Sequence, residues 1–478
     1  MLKKLRNLIN GENKHKNVHV KESHKDTDTC SAPESKQKQV PSTSEQSMFN
    51  DPLKIRPELQ PVGFYGVLGS AAQVLCDGYR ALPSFVALSL MARICASIYK
   101  GNVKVVNGEQ ETELRMNALL VMKTGGGKGL GEGRAELLIE RSGLLSQLDE
   151  DEIPLFATVH EGGLSTTEGI VADLRDESTD KNGDIIPGVN DKRRVYLEEE
   201  FANIFSKTQS SNSNLSATIR RLFDGGSLSP LIKHDRISCT DPHVSIIGHI
   251  TPKEFLEKLT SNDLYNGFSN RFITLMGIPK PVIAFPTKLD KEAISHLSEE
   301  LVSAVKWCNA EERQLTMSDC FKELWEVEVV RISELGASDS LEATLMVRAP
   351  HYAIMISGLF AALDKTCTME EKHLRAALAW IDHWHDSVRY LFNTEREAME
   401  AERRREISDA VLAAITTVIS ETRTNEVRRT DLSKFLGKRY TSKQVTTALQ
   451  DLQELPTPPI YIEKRARNLQ LISLKKSV

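Results

Sequence analysis

The chain has 478 residues, 40% of them hydrophobic, with 61 Lys and Arg against 66 Asp and Glu. That length accommodates two or three domains, and a net charge of -5 at pH 7 excludes a global nucleic-acid footprint, so any basic binding surface must be local. The seven cysteines are scattered without a C-x-x-C pair, no apolar run approaches a membrane span, and no apolar signal core follows the basic N-terminus; the expectation is a cytoplasmic protein with no disulfide framework, zinc site or membrane partner.

Residues 1–50 are rich in Lys, Ser, Gln, Asn and His and nearly free of large apolar groups after Ile9. Such a segment cannot bury enough surface to offset its ordering entropy, and it reads as a disordered polar tail. Residues 51–110 are expected to form a helical N-terminal part of the core, with the apolar run 81–91 buried. A short apolar strand at 118–122 then runs into Lys123-Thr124-Gly125-Gly126-Gly127-Lys128-Gly129, with a helix expected from about Gly131. Glycines let backbone N–H groups turn towards phosphate oxygens, a lysine supplies positive charge, and a following helix presents its positive dipole end. The spacing points to a phosphate-binding loop over Thr124, Gly125, Gly126, Gly127, Lys128 and Gly129, although a Gly-Gly-Gly-Lys run also suits a plain flexible loop. The pattern G-x-x-x-x-G-K-[ST] would place Gly at 122 and a hydroxyl residue at 129. This chain has Met122 and Gly129, so the hydroxyl that usually helps hold magnesium is missing.

Further strands are expected at 195–198, 243–248 and 272–276, with helical patterns between them. Ser165-Thr166-Thr167-Glu168 reads as a capping box opening a helix over 169–175. Strands spaced by helices predict a mostly parallel α/β sheet spanning 111–285. Residues 286–405 read as helical and end in a charged linker helix at 395–406. Residues 406–478 form a separate unit: helices at 407–419, 430–436 and 442–453, then strands at 460–464 and 469–474, a winged-helix arrangement. From 425 onwards there are about six more basic than acidic side chains, which suits phosphate contacts. DNA is the expected partner, with helix 442–453 in the major groove, Arg465 and Arg467 on phosphates, and Lys443 and Lys464 also binding DNA.

Three constellations carry candidate chemistry. Val195-Tyr196-Leu197-Glu198-Glu199-Glu200 is an apolar strand ending in carboxylates, downstream of the glycine loop, where a metal ligand and a water-activating group belong. A solvated acidic turn is the alternative. Arg271, in Asn266-Gly267-Phe268-Ser269-Asn270-Arg271-Phe272, suits either a structural ion pair or an arginine finger reaching a neighbouring subunit's γ-phosphate. His249 follows an apolar strand, where a polar side chain can sense the γ-phosphate or simply be hydrogen-bonded. His383 and His385 stand two apart on a helix and therefore face different ways, which argues against a metal pair.

Over residues 60–395 the chain resembles the YfjI-like prophage and plasmid proteins, a domain-of-unknown-function family regarded as P-loop, helicase-like ATPases and often joined to primase domains. The resemblance is carried by Leu197-Glu198-Glu199-Glu200-Phe201-Ala202, Leu215-Ser216, Arg220, Asp224-Gly225, Ile246-Ile247-Gly248-His249-Ile250-Thr251, Asn266 to Phe272 and His373-Leu374-Arg375-Ala376-Ala377-Leu378-Ala379. It implies a RecA-like or AAA-like NTPase core with helical flanks, working on DNA in a prophage or other mobile element with other replication proteins as possible partners. It also implies ATP and Mg²⁺ as cofactors and a homo-oligomer such as a hexameric ring. In that reading Lys128 neutralises the β- and γ-phosphates, Glu198 and Glu199 assist Mg²⁺, Glu200 orients water, His249 senses the γ-phosphate and Arg271 acts across a subunit interface. The family's small hydroxyl residue just beyond the loop is replaced by Leu130 and Gly131, and the arginine often found near 355 is Met355, with Arg348 a substitute. The alternative is a catalytically degenerate nucleotide- and DNA-binding initiator or scaffold, or a C-terminal unit that binds protein.

Overall fold

Two helices that are apolar on nearly every side seed the core: α1 (Gly66–Cys76) and α2 (Pro83–Ser97). Pro83 sits in the first turn of α2, where its missing N–H has no intrahelical partner to lose. The protein is described from a computed structural model covering residues 56–475 except 140–147, 149–152, 181–182, 211, 231–236, 261–262, 264–265, 339 and 466–468. The expected polar tail and Arg467 lie outside the described residues.

After α2 come β1 (Val103–Asn107), β2 (Gln110–Glu113), β3 (Ala118–Val121), α3 (Lys128–Ile139), β4 (Thr158–Glu161), α4 (Thr167–Asp173) and the two-residue strands β5 (Ser178–Thr179) and β6 (Ile185–Ile186). Then follow β7 (Arg193–Glu198), α5 (Ala202–Thr208), α6 (Leu215–Phe223), β8 (His243–Ile250), α7 (Pro252–Lys258) and β9 (Ile273–Met276). These elements build a five-stranded sheet, order β4-β7-β8-β3-β9, in which every pairing is parallel. All residues of β3, β8 and β9 are buried, as expected for parallel strands covered on both faces. The chain leaves β3 for the far edge at β4, works back through β7 to β8, then crosses β3 to reach β9. Connections that leave β3 and β8 in opposite directions make the carboxyl ends of these neighbours the sheet's topological switch point, where open α/β sheets form a ligand crevice.

The region expected to be wholly helical is not. It contains α8 (Lys291–Asn309), β10 (Arg313–Met317), α9 (Asp319–Glu334), α10 (Leu341–Met346), α11 (Ala349–Leu363), β11 (Thr368–Met369) and α12 (Glu371–Tyr390). β10 and β11 join β1 and β2 in a second sheet, order β11-β10-β1-β2, with β1 and β10 parallel. The stretch 341–363 is long and apolar enough to cross a membrane, but 78% of its apolar 18-residue window is buried in the core, where it packs like any core helix.

A π-helical turn, Leu391–Glu395, links α12 to α13 (Arg396–Thr422), so the expected linker and the helix at 407–419 are one helix. The chain ends with β12 (Glu426–Arg428), α14 (Arg429–Leu436), α15 (Ser442–Glu454), β13 (Ile460–Arg465) and β14 (Leu469–Leu474). These share an apolar core of their own, including Ile407, Val411, Ile415, Leu432, Leu449 and Ile472, separate from the large core over 59–392. β13 and β14 form an antiparallel hairpin, and β12 adds a third strand against β14. The helix near 169 starts earlier than its sequence suggests: Thr166 is the cap, accepting from the Gly169 N–H, and α4 begins at Thr167. The fold is mixed α/β with parallel sheets.

Candidate functional site

The glycine run forms a tight turn at the carboxyl edge of β3. The helix begins at Lys128, three residues before the expected start, so Lys128 occupies the first turn of α3. Gly125 (φ +71°) and Gly127 (φ +105°) adopt backbone conformations that side chains disfavour. A Cβ on Gly126 would lie 2.6 Å from the Met122 Cγ and 2.8 Å from the Lys123 carbonyl oxygen, so this glycine is required by close approach. Met122 itself is buried, its methyl group wedged against Gly277. Gly129 differs from these: a Cβ there meets nothing within 4 Å. The turn is braced by the Gly126 N–H donating to Lys123 O and by Arg80 Nη2 donating to Gly125 O at 3.3 Å. Thr124 and Gly125 are exposed and Lys128 is half-buried.

Beneath Lys128 lies a buried polar cluster that sequence reasoning missed. Glu132, one helical turn beyond Lys128, accepts from Ser89 Oγ at 2.7 Å and from Arg93 Nε at 3.0 Å, with a second, shorter contact from Arg93 Nη2. His249 is 1% exposed, and its Nε2 stands 4.0 Å from Glu132 Oε2 without a hydrogen-bond partner. Burial chiefly, with the charges of Lys128 and Arg93 assisting against Glu132, pushes its pKa down to about 4. The expected γ-phosphate sensor is thus a neutral imidazole under the loop, closed off from solvent. The only sequence signal for this cluster was Arg93, a lone charge inside an apolar helix.

Glu198 pairs in register with Gly248, so the next residue, His249, points to the opposite face of the sheet. Glu198 is 6% exposed and accepts from the Leu164 N–H; burial raises its pKa, while that bond, Lys207 and His160 lower it. Glu199 and Glu200 lie exposed in the turn after β7. β7 is two strands from β3, which puts these carboxylates about 10 Å from the glycine turn along the same edge. The exposed pair, rather than the bonded Glu198, offers free oxygens of the kind Mg²⁺ takes alongside phosphates. Among the described residues, no group of three metal-binding side chains gathers.

Arg271 lies at the other end of the sheet. It precedes β9, whose Ile273 pairs with Ala118 at the start of β3, so it stands about 17 Å along the strands from the loop edge. Its Nη2 and Nε bond Asp224 at 2.7 and 3.3 Å, and its Nη1 donates to Gly267 O. Arg348 approaches the same carboxylate at 3.7 Å, over the Phe223 ring. The residue is engaged within its own chain in a structural ion pair and cannot meet a phosphate at Lys128 of the same chain. Arg348 shares this far edge and is likewise remote from the loop.

In the C-terminal unit, α15 buries Val445, Ala448, Leu449 and Leu452 and exposes Lys443, Thr446, Gln450 and Gln453. Arg465 is paired with Glu463 through two 2.9 Å bonds, so its charge is partly answered, whereas Lys464 is exposed. Asp451 is paired with Arg404 of α13. His383 is buried with neither ring nitrogen bonded, and burial pushes its pKa down to about 4.

No protein-family model matches the chain, and neither does any curated protein.

Proposed function

We propose that the chain is an ATP-binding, ATP-hydrolysing protein of the RecA-like or AAA-like P-loop class that works on DNA, as its resemblance to prophage and plasmid helicase-like proteins implies. One observation carries this reading: a strained glycine turn at the switch point of a parallel sheet, opening a helix on Lys128, with free carboxylates along the same edge. Open α/β sheets bind ligands in that crevice, and an anion there gains both the helix N-terminus and the lysine charge.

In this reading the backbone N–H groups of residues 124–129 hold the β- and γ-phosphates, and Lys128 neutralises them. Bound Mg²⁺ would supply further neutralisation, held by Glu199 with Glu198 behind it. Glu200 orients the attacking water. His249 acts through the Glu132 cluster below the loop rather than by touching phosphate. Arg271 serves a neighbouring copy's nucleotide only after Asp224 releases it, and so implies a homo-oligomer such as a hexameric ring. The C-terminal unit acts as a winged helix. Its α15 offers an outward face of Lys443, Thr446, Gln450 and Gln453, side chains suited to base edges and phosphates, with Asp451 answered by Arg404 and Glu454 at the helix end.

Equilibrium binding of a fluorescent ATP analogue with Mg²⁺, wild type beside Lys128→Ala, tests the site. Micromolar binding lost in the variant supports it, and equal binding by both removes the loop from the account. DNA binding by the full chain against residues 1–405 tests the C-terminal unit, and unchanged affinity on truncation would exclude it. A second reading, a nucleotide-binding scaffold without turnover, is favoured by Gly129, which supplies no hydroxyl for magnesium.

A further inference from the structure

Helices α12 and α13 form one rod over 371–422, interrupted only by the π turn Leu391–Glu395, where the Arg396 N–H reaches back to Leu391 O. The α12 end packs beside β9, and the α13 end carries Ile407, Val411 and Ile415 into the C-terminal core. The π turn is therefore the one irregularity between the glycine loop's sheet and the basic C-terminal unit. Inserted π turns recur at functional sites, because the extra residue can be re-registered.

The turn touches the carboxyl edge of the sheet twice. Phe392 packs on Phe255 of α7, the helix that follows β8. Glu395, only 7% exposed, forms an ion pair at 3.0 Å with Lys123, the residue that opens the glycine loop and whose carbonyl anchors Gly126. Tyr390, at the start of the turn, lies in the field of both Glu395 and Lys123. A carboxylate this buried needs a compensating cation, and among the described residues Lys123 is its only ion-pair partner within 4 Å.

We infer that Glu395 is a positioning residue for the glycine loop through Lys123, and that this pair couples ligand at the loop to the placement of the C-terminal unit. The coupling to nucleotide rests on the function proposed above; the contact between loop and π turn does not. Phosphate arriving beside Lys123 competes with Glu395 for its charge. Loss of that partner leaves a buried carboxylate uncompensated, and re-registering the π turn relieves it. The shift then travels along α13 as a rotation of the rod.

Hydrogen exchange on the full chain separates the two parts. Without ligand, Glu395→Gln and, independently, the exposed-side Lys123→Gln should each speed exchange at residues 123–127 and 391–396 by roughly two- to fivefold, the range of a single partly exposed pair. The double variant should add nothing further. Unchanged rates in both single variants would overturn the inference, whatever nucleotide does. With a non-hydrolysable ATP analogue, the wild type should change exchange at 391–400 and Glu395→Gln should bind the analogue without that change. An analogue that binds and leaves 391–400 unaltered in the wild type would overturn the coupling to ligand. No binding by the wild type would instead refute the nucleotide reading and leave the loop contact standing on the ligand-free arm.

Discussion

The glycine turn makes a graded prediction, because its four glycines differ in why they are glycine. Gly126→Ala puts a Cβ 2.6 Å from Met122 Cγ and 2.8 Å from the Lys123 carbonyl. The thioether can swing but the carbonyl is backbone, so overpacking of about 1–3 kcal/mol is expected. Gly127→Ala forces a side chain to φ +105° and 3.1 Å from Leu130, at about 1–2 kcal/mol. Gly125→Ala meets open space at φ +71°, so only backbone strain of about 1 kcal/mol applies. Gly129→Ala meets open space inside the first turn of α3, where alanine is worth up to about 1 kcal/mol more than glycine. The order from most destabilised to stabilised is therefore 126, 127, 125, 129. Urea denaturation followed by tryptophan fluorescence is the assay, since Trp307, Trp325, Trp380 and Trp384 all lie outside the C-terminal unit and report the larger core. Equal losses for Gly126→Ala and Gly129→Ala would refute the geometry of the turn.

Breaking the buried pair by Arg93→Met should cost about 3–5 kcal/mol, because Glu132 is left charged and nearly inaccessible. Adding Glu132→Gln to it should recover much of the loss in the same denaturation assay; an additive loss would contradict the pairing. His243, His249, His351 and His383 have pKa values pushed down by burial to between about 3 and 4 from 6.5. Neutral in the fold and protonated when unfolded, they contribute stability that is present above pH 6.5 and lost as pH falls towards 4. The urea midpoint should fall across that window, and His383→Leu should shallow the fall by about one proton; an unchanged slope counts against a buried neutral His383. For DNA, Lys443→Ala should reduce the log–log salt slope of binding by about 1, and a slope equal to the wild type's would place Lys443 away from phosphate.

The strands at 118–121, 193–198, 243–250 and 273–276 were legible because each is built on a short apolar stretch, such as Ala118–Val121, Val195–Leu197 or Ile246–Ile247, of the kind a strand covered on both faces carries. The second sheet was not. β10 reads Arg-Gln-Leu-Thr-Met, in which Leu315 alone is fully buried, and its partner β1 lies more than 200 residues earlier. No local period marks such an edge. The Glu132 cluster was hidden for a related reason: its carboxylate sits in a polar-looking helix, and its partners Ser89 and Arg93 come from another element. The single rod over 371–422 escaped notice because the charged run at 395–406 looks like a linker when its apolar continuation is read separately. For the candidate site, chain order placed Lys128 and the carboxylates along one edge, but could not tell that Glu198 and His249 face opposite sides or that Arg271 lies at the far end.

The central claim is tested most directly by ATP hydrolysis with purified full-length chain and Mg²⁺, with and without single-stranded DNA, beside Lys128→Ala and Glu200→Gln. The account predicts turnover that rises with DNA in the wild type and falls at least 10-fold, or about 1.4 kcal/mol of barrier, in each variant. Wild-type turnover at background, indistinguishable from both variants, would contradict it.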